Sequence, residues 1–172
     1  MAYIRVDTRE KDNDYILDGF KSGRISFKQE KLDEGDYESS DNPNCVIDLK
    51  NGIAEVQKNI AGSKSEKERF LNEIVRCQIK GKKLIVLIRE PKIYALGGVQ
   101  YWKSPKSWRF NPKTKKWENK PNTKVSGKFI MKVMERYRDE YGIEWRFCKP
   151  EDSARTIVYL LKKNGGNIGY GN

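Results

Sequence analysis

The chain has 172 residues, 35 Lys or Arg against 24 Asp or Glu, no histidine, and a pI near 9.5. That length suits one domain able to bury its own core, and the cationic excess points to a polyanionic partner, nucleic acid before an anionic membrane surface. The absence of histidine excludes His-ligated zinc and His general-base chemistry. No apolar run reaches transmembrane length, and the N-terminus lacks a signal peptide's apolar core. Cys45, Cys77 and Cys148 are odd in number and form no C-x-x-C pair, which fits free thiols in a reducing cytoplasm.

Tyr3 to Val6 reads as a strand running into Asp7-Thr8-Arg9-Glu10, and α/β sheets place sites at such strand ends. Asp12 or Asn13 is the expected cap of a short amphipathic helix carrying Tyr15, Ile16, Leu17 and Phe20 and closed by Gly23. Ile25 to Gln29 alternates apolar and polar residues as a strand does. From Lys31 to Glu55 two short segments flank Asp41-Asn42-Pro43-Asn44, residue types that favour a tight turn. This predicts a β-hairpin folded about Asn42-Pro43. In its second strand, Val46 to Lys50, side chains alternate, so Asp48 and Lys50 share one face while Ile47 and Leu49 enter a core. Asp36 then lies across from the Asp48 to Lys50 step, at the roughly 4.5–5.5 Å spacing of opposed Cβ atoms.

Two carboxylates and a lysine so placed have a chemical use. Phosphodiester hydrolysis needs an oxygen-ligated hard cation to neutralise developing charge and acidify a water, and a positioned Lys can orient that water or stabilise the phosphorane. The residues alone fit a second reading equally, with Gly35-Asp36 a turn and Asp48 with Lys50 a solvated pair at a strand end.

Beyond Asn51-Gly52, Ile53, Val56 and Ile60 recur at helical spacing, with Glu55 one turn from Lys50. Ser65 and Glu68 are spaced as a capping box for a helix over about 66–80 that buries Phe70, Leu71, Ile74 and Cys77. Arg69 and Glu73 read as an i,i+4 surface pair. Leu84 to Ile88, apolar throughout, is the expected centre of the sheet. Between 97 and 124 the character changes: over 101–121, Tyr101, Trp102, Trp108, Phe110 and Trp117 are interleaved with seven Lys or Arg and one Glu. Either the rings and cations meet nucleic acid, or this is a long hairpin whose rings pack down on the domain. Phe129, Ile130, Val133, Met134 and Tyr137 mark a helix, Ile143 to Cys148 a strand, and Ala154, Ile157, Val158 and Leu161 a last helix.

The order strand, D-x-R-E, helix, G-D-Y, V-I-D-x-K, helix resembles the nuclease domain of the XPF family (XPF, Mus and archaeal Hef nucleases), a branch of the PD-(D/E)XK superfamily, and in particular its small stand-alone bacteriophage members. The boxes fall on Val6-Asp7-Thr8-Arg9-Glu10, Gly35-Asp36-Tyr37 and Asp48-Leu49-Lys50, with the later acid at Glu55. Asp replaces the family's Glu at 48 and Leu its Arg at 49. The resemblance implies an α/β fold with a restriction-endonuclease-like mixed central sheet flanked by helices, one domain over 1–163 and a flexible tail over 164–172. It implies a Mg²⁺- or Mn²⁺-dependent endonuclease acting on branched DNA (flap, fork or Holliday junction) of the kind met in DNA repair and recombination. The alternative is a branched-DNA-binding module that does not cut.

In that reading Asp36 and Asp48 ligate the metal, aided by the Leu49 backbone carbonyl and by Asp7 through water. Lys50 positions or activates the nucleophilic water, Glu10 and Glu55 complete the polar site, and Arg9 contacts phosphate. Family nucleases work as dimers, so a homodimer is implied, in the cytoplasm or, for a viral member, the host's. The tandem helix-hairpin-helix module with which relatives hold branched DNA has no counterpart in this sequence. The aromatic-basic segment is the expected substitute, through Lys103, Lys106, Trp108, Arg109, Lys113, Lys115, Lys116 and Trp117.

Overall fold

The computed structural model describes residues 2–10 and 13–170; Asp12, one of the two expected helix caps, lies outside them. In chain order the elements are β1 (Ile4–Asp7), α1 (Asp14–Ser22), β2 (Phe27–Glu30), β3 (Tyr37–Ser39), β4 (Asn42–Lys50), α2 (Ile53–Ala61), α3 (Lys64–Ile79), β5 (Lys83–Arg89), β6 (Lys106–Asn111), β7 (Lys116–Pro121), α4 (Gly127–Tyr141), β8 (Glu144–Cys148) and α5 (Ser153–Lys163). Six strands form one mixed sheet in the order β2-β1-β3-β4-β5-β8. β3 is antiparallel to both its neighbours and the other pairs are parallel.

Strand alternation divides the core in two. Val46, Val86 and Ile88 face α2, α3 and α4, packing with Val56, Phe70, Ile74 and Met134. Ile47, Leu49, Ile85 and Leu87 face α1 and α5, packing with Ile16, Phe20, Ile157 and Leu161. The apolar run in β5 is buried on both faces as its composition predicts, yet β5 lies one strand in from the edge, covered by β8, and β3 and β4 hold the centre. All three cysteines are free and buried. No helix among the described residues is long and apolar enough to cross a membrane.

Three local expectations are corrected. The β3–β4 reversal falls at Ser40-Asp41, with Ser39 paired to Asn42 after a bulge between Glu38 and Ser39, not about Asn42-Pro43. Tertiary partners decide this: the Asp41 carboxylate accepts from Ser39 Oγ (2.6 Å) and Asn167 Nδ2 (2.9 Å), and Asn42 Nδ2 donates to Asn164 O (2.7 Å). Below the bulge Tyr37 opposes Ile47, so the register facing the site differs from expectation by only one residue. The capping box on α3 is Ser63 with Glu66, not Ser65 with Glu68; each side chain accepts from the other residue's backbone N–H. The segment from Asn164, expected as a flexible tail, is docked as far as Tyr170. Gly169 N donates to Ala2 O (2.7 Å), Ser26 N donates to Gly169 O (3.0 Å), and Ile168 is buried.

The aromatic-basic segment begins with a short 3₁₀ turn, Leu96–Tyr101, anchored by buried Val99. β6 and β7 then form their own antiparallel ribbon. Asn111 Oδ1 accepts from Lys113 N (3.0 Å) and Thr114 N (3.4 Å), and Lys115 takes a left-handed conformation (φ 53°) to complete the reversal. The packed-down reading holds for Trp102, which packs against the α2/α3/α4 core, and fails for the hairpin's own rings: Trp108 and Trp117 are each 66% exposed and Phe110 51%.

Candidate active site

The carboxyl ends of β1 and β4, the loop entering β3, and α3 surround a cleft of about 480 Å³ lined by Asp36, Asp48, Lys50, Glu73, Arg9 and Arg69 among others. The loop reaches it through Gly35, whose φ is +66° and whose Cα approaches β4 so closely that a Cβ would stand 3.0 Å from Ile47 O. Only glycine meets both demands. Next, Asp36 N donates to Ile47 O (2.7 Å), and Asp36 Oδ2 accepts from Leu49 N (2.7 Å). This pins the Asp36 carboxylate to the strand that carries Asp48 and Lys50.

Lys50 Nζ donates to Asp48 Oδ1 (2.7 Å), lies 3.8 Å from Glu55 Oε1, and stands 5.8 Å above the Phe70 ring. Asp48 Oδ2 is buried and has no hydrogen-bond partner. Burial and the neighbouring Asp48 carboxylate push Asp36 well above the usual carboxylate range, against the Leu49 N–H that favours its ionised form. Burial raises Asp48 too, opposed by Lys50. Burial works against the Lys50 ammonium, but Asp48, Glu55 and Asp36 outweigh it and raise the lysine. In the metal-free cleft this favours the Lys50 ammonium, which donates to Asp48.

These groups suit a hard cation. Every donor is oxygen, one buried carboxylate oxygen is unpartnered, and adjacent carboxylates resist ionising together without positive charge. No cluster of three or more His, Cys, Asp or Glu side chains among the described residues forms a ready metal cage. An open set of one or two carboxylates is nonetheless what Mg²⁺ uses, since it retains several of its waters. Leu49 buries its side chain in the α1/α5 core. Ile47 O points to the β3 edge, so by strand alternation Leu49 O faces the same edge one step past the last β3–β4 pair.

The other expected residues divide. Glu10 lines the cleft, and its charge contributes to raising Asp36. Glu55 also lines it, and its Oε2 accepts from Asn51 N (2.7 Å). Asp7 is buried with its carboxylate already engaged: Oδ1 accepts from Arg9 N (2.7 Å), and Oδ2 from Arg9 Nη2 (2.6 Å) and Leu32 N (3.1 Å). Burial opposes ionisation of Asp7, but these donors prevail and lower its pKa. It fixes Arg9 and the 32–35 loop and has little left to offer a metal-bound water. Arg9 remains substantially exposed at the cleft mouth, where it can meet an anion.

Glu73 was missed by sequence reasoning. It forms no pair with Arg69 of the kind expected; its Oε1 accepts from Gly35 N (3.0 Å), and burial together with the Asp48 charge raises its pKa. The available signal was position: Glu73 stands three residues after Phe70 and four before Cys77, on the buried face of α3. Lys103, Lys106, Trp108, Arg109, Lys113, Lys115, Lys116 and Trp117 lie outside this cleft, on the hairpin and the approach to it.

A mixed sheet clad by helices on both faces, with acidic side chains gathered at strand ends, matches the architecture expected from the sequence, and solved structures of XPF share this fold. XPF from Aeropyrum pernix superposes with a TM-score of 0.61 at 14% identity, over 96% of this chain and 62% of that one. XPF from the same organism in complex with DNA gives 0.62 at 13% identity, over 95% and 65%. The chain thus spans less than two thirds of the length of either. No protein-family model matches the sequence, and neither does any curated protein.

Proposed function

We propose that this protein is a metal-dependent DNA endonuclease that hydrolyses phosphodiester bonds in branched DNA. The observation that carries the reading is the convergence of Asp36, Asp48 and Lys50 from two paired strand ends, with a buried Asp48 oxygen left unpartnered. Asp36 and Asp48 would hold Mg²⁺ or Mn²⁺, which when bound would supply charge neutralisation and lower the pKa of the attacking water. Lys50, kept protonated by its carboxylate neighbours, donates to the attacking water or to a phosphate oxygen. Glu73 braces the Gly35 turn that presents Asp36. Arg9 and Arg69 at the cleft mouth receive the phosphate backbone. A DNA substrate is supported by the net charge of +11 and by the complex with DNA that one of the similar XPF structures forms.

The test is cleavage of labelled duplex, single strand, 3′-flap, fork and four-way junction with Mg²⁺, Mn²⁺ or EDTA, wild type beside Asp48→Asn. Metal-dependent cutting of a branched substrate that disappears in the variant is expected. Tight binding with no cutting in either metal overturns the enzyme reading in favour of a binding module.

A further inference from the structure

Alternation along β6 and β7 gives the hairpin two chemically different faces. Ser107, Arg109 and Asn111 share one with Glu118 and Lys120. Trp108 and Phe110 share the other with Trp117, which pairs directly with Phe110. The Phe110 and Trp117 rings meet edge to face at 5.9 Å, and all three rings are more than half exposed. A ribbon that turns its largest apolar side chains to solvent gains little stability from them beyond the one Phe110–Trp117 cross-strand contact.

The aromatic face also leads somewhere. At its base, Lys106 and Pro121 open into a groove of about 900 Å³ whose charged lining is Lys103, Lys106, Lys124 and Lys128, with no acidic residue. Tyr101, Trp102 and Lys103 are shared with the next concavity, which reaches Asn51 and Ala54 on the α2 side. Those two line the depression adjoining the carboxylate cleft, with Glu10 and Glu55 common to both. Neighbouring depressions thus share lining residues in succession from the carboxylate cleft to the base of the hairpin, with Glu90, Glu66, Glu55 and Glu10 among the residues between.

We propose that this face binds an unpaired DNA strand, stacking its bases on Trp108, Phe110 and Trp117 while the lysine groove holds its phosphates; the inference rests on the reading of the chain as a DNA-processing protein. The chemistry selects this occupant. Flat rings that lead into a lysine-lined groove match a strand with accessible base faces and a polyanionic backbone. A duplex hides its base faces, and protein interfaces are depleted in lysine.

The experiment measures anisotropy of a fluorescein-labelled dT₁₂, an abasic strand of the same length, and a duplex, in EDTA so that no cleavage intervenes. Stacking is worth about five- to a hundredfold per base. The wild type is expected to bind dT₁₂ at least about tenfold more tightly than the abasic strand. Trp108→Ala/Trp117→Ala, which leaves only Phe110, should cut that difference at least about fivefold while leaving abasic binding within about twofold, and Trp108→Phe/Trp117→Phe should restore most of it. Circular dichroism confirms folding of each variant. Equal affinity for dT₁₂ and the abasic strand, or an alanine double variant that binds dT₁₂ like wild type, overturns the proposal and leaves the face to a protein partner. Flap cleavage assayed in parallel separates the two readings. Cleavage without stacking ends this one alone, and stacking without cleavage ends the nuclease reading alone.

Discussion

In the cleft, Asp36, Asp48 and Glu73 crowd around a single buried ammonium, Lys50; on the hairpin, Trp108, Phe110 and Trp117 turn their rings to water. One region hides charge and the other exposes apolar surface. Each costs the free protein stability, through desolvation and like-charge repulsion in the first and unburied apolar area in the second. The partners that relieve these costs differ accordingly. A small cation suits the cleft and a flat, polyanionic strand suits the hairpin. A position that breaks a folding rule in a specific chemical sense thus indicates what it is built to meet.

The sharpest way to separate the regions is to disable one and assay the other. Lys50→Ala is expected to lower cleavage by about 10²–10³-fold or more while DNA affinity stays near wild type, because it removes charge stabilisation at the reacting phosphate. A parallel loss of folding, seen by circular dichroism, returns Lys50 to a purely structural role. Glu73→Ala removes the acceptor for Gly35 N–H that braces the turn presenting Asp36, so about a 10- to 100-fold fall in activity or in metal affinity is expected, read from a Mn²⁺ titration of cleavage. Replacing Lys113, Lys115 and Lys116 by Gln acts on the other region. Cleavage of saturated substrate persists, while the salt dependence of binding flattens by up to roughly one unit of slope per lost phosphate contact. An unchanged slope removes the hairpin tip from the DNA path.

The smallest effect concerns stability. The Asp36 carboxyl is raised by burial and by Asp48, so in metal-free protein its neutral form stabilises the fold. That contribution is complete below the unfolded value, about pH 4, and is lost as pH rises through the folded value. Asp36→Asn keeps an acceptor for Leu49 N–H and does not ionise. Its Tm is expected to match wild type near pH 4 and to exceed it by about 2–4 °C at pH 7. A variant less stable than wild type at both pH values contradicts the repulsion argument. Addition of Mg²⁺ is expected to narrow the gap at pH 7 by binding the wild-type carboxylates.

Much of this comparison was legible in the residues. Alternation in β4 put Asp48 and Lys50 on one face, and turn composition brought Asp36 opposite them, within one residue of the observed register. The exact reversal was not legible, since Asp41 and Asn42 are held by Asn167 and Asn164, more than a hundred residues away. The helix start was ambiguous because Ser63 and Ser65 both precede a Glu by three residues, and only the end of α2 at Gly62 favours the first. Glu73 was hidden by a plausible local partner in Arg69; its true contact, Gly35 N–H, requires the packing of α3 against the β3 loop. The exposed aromatic face followed from alternation once β6 and β7 were known to pair, but composition alone allowed the rings to point inward.

The docked C-terminal segment gives the topology a practical freedom. Gly169 hydrogen-bonds to Ala2, so the two ends of the described chain meet. Ala2 leads into the start of β1, whereas the cleft lies at that strand's other end, by Asp7. A circular permutant that joins the ends and reopens the backbone at the Pro112–Lys115 reversal leaves the six-stranded sheet uncut. In such a molecule β6 and β7 are joined only by their ladder and the Phe110–Trp117 contact, so the proposed strand capture can be tested apart from the carboxylate cleft without changing a single side chain.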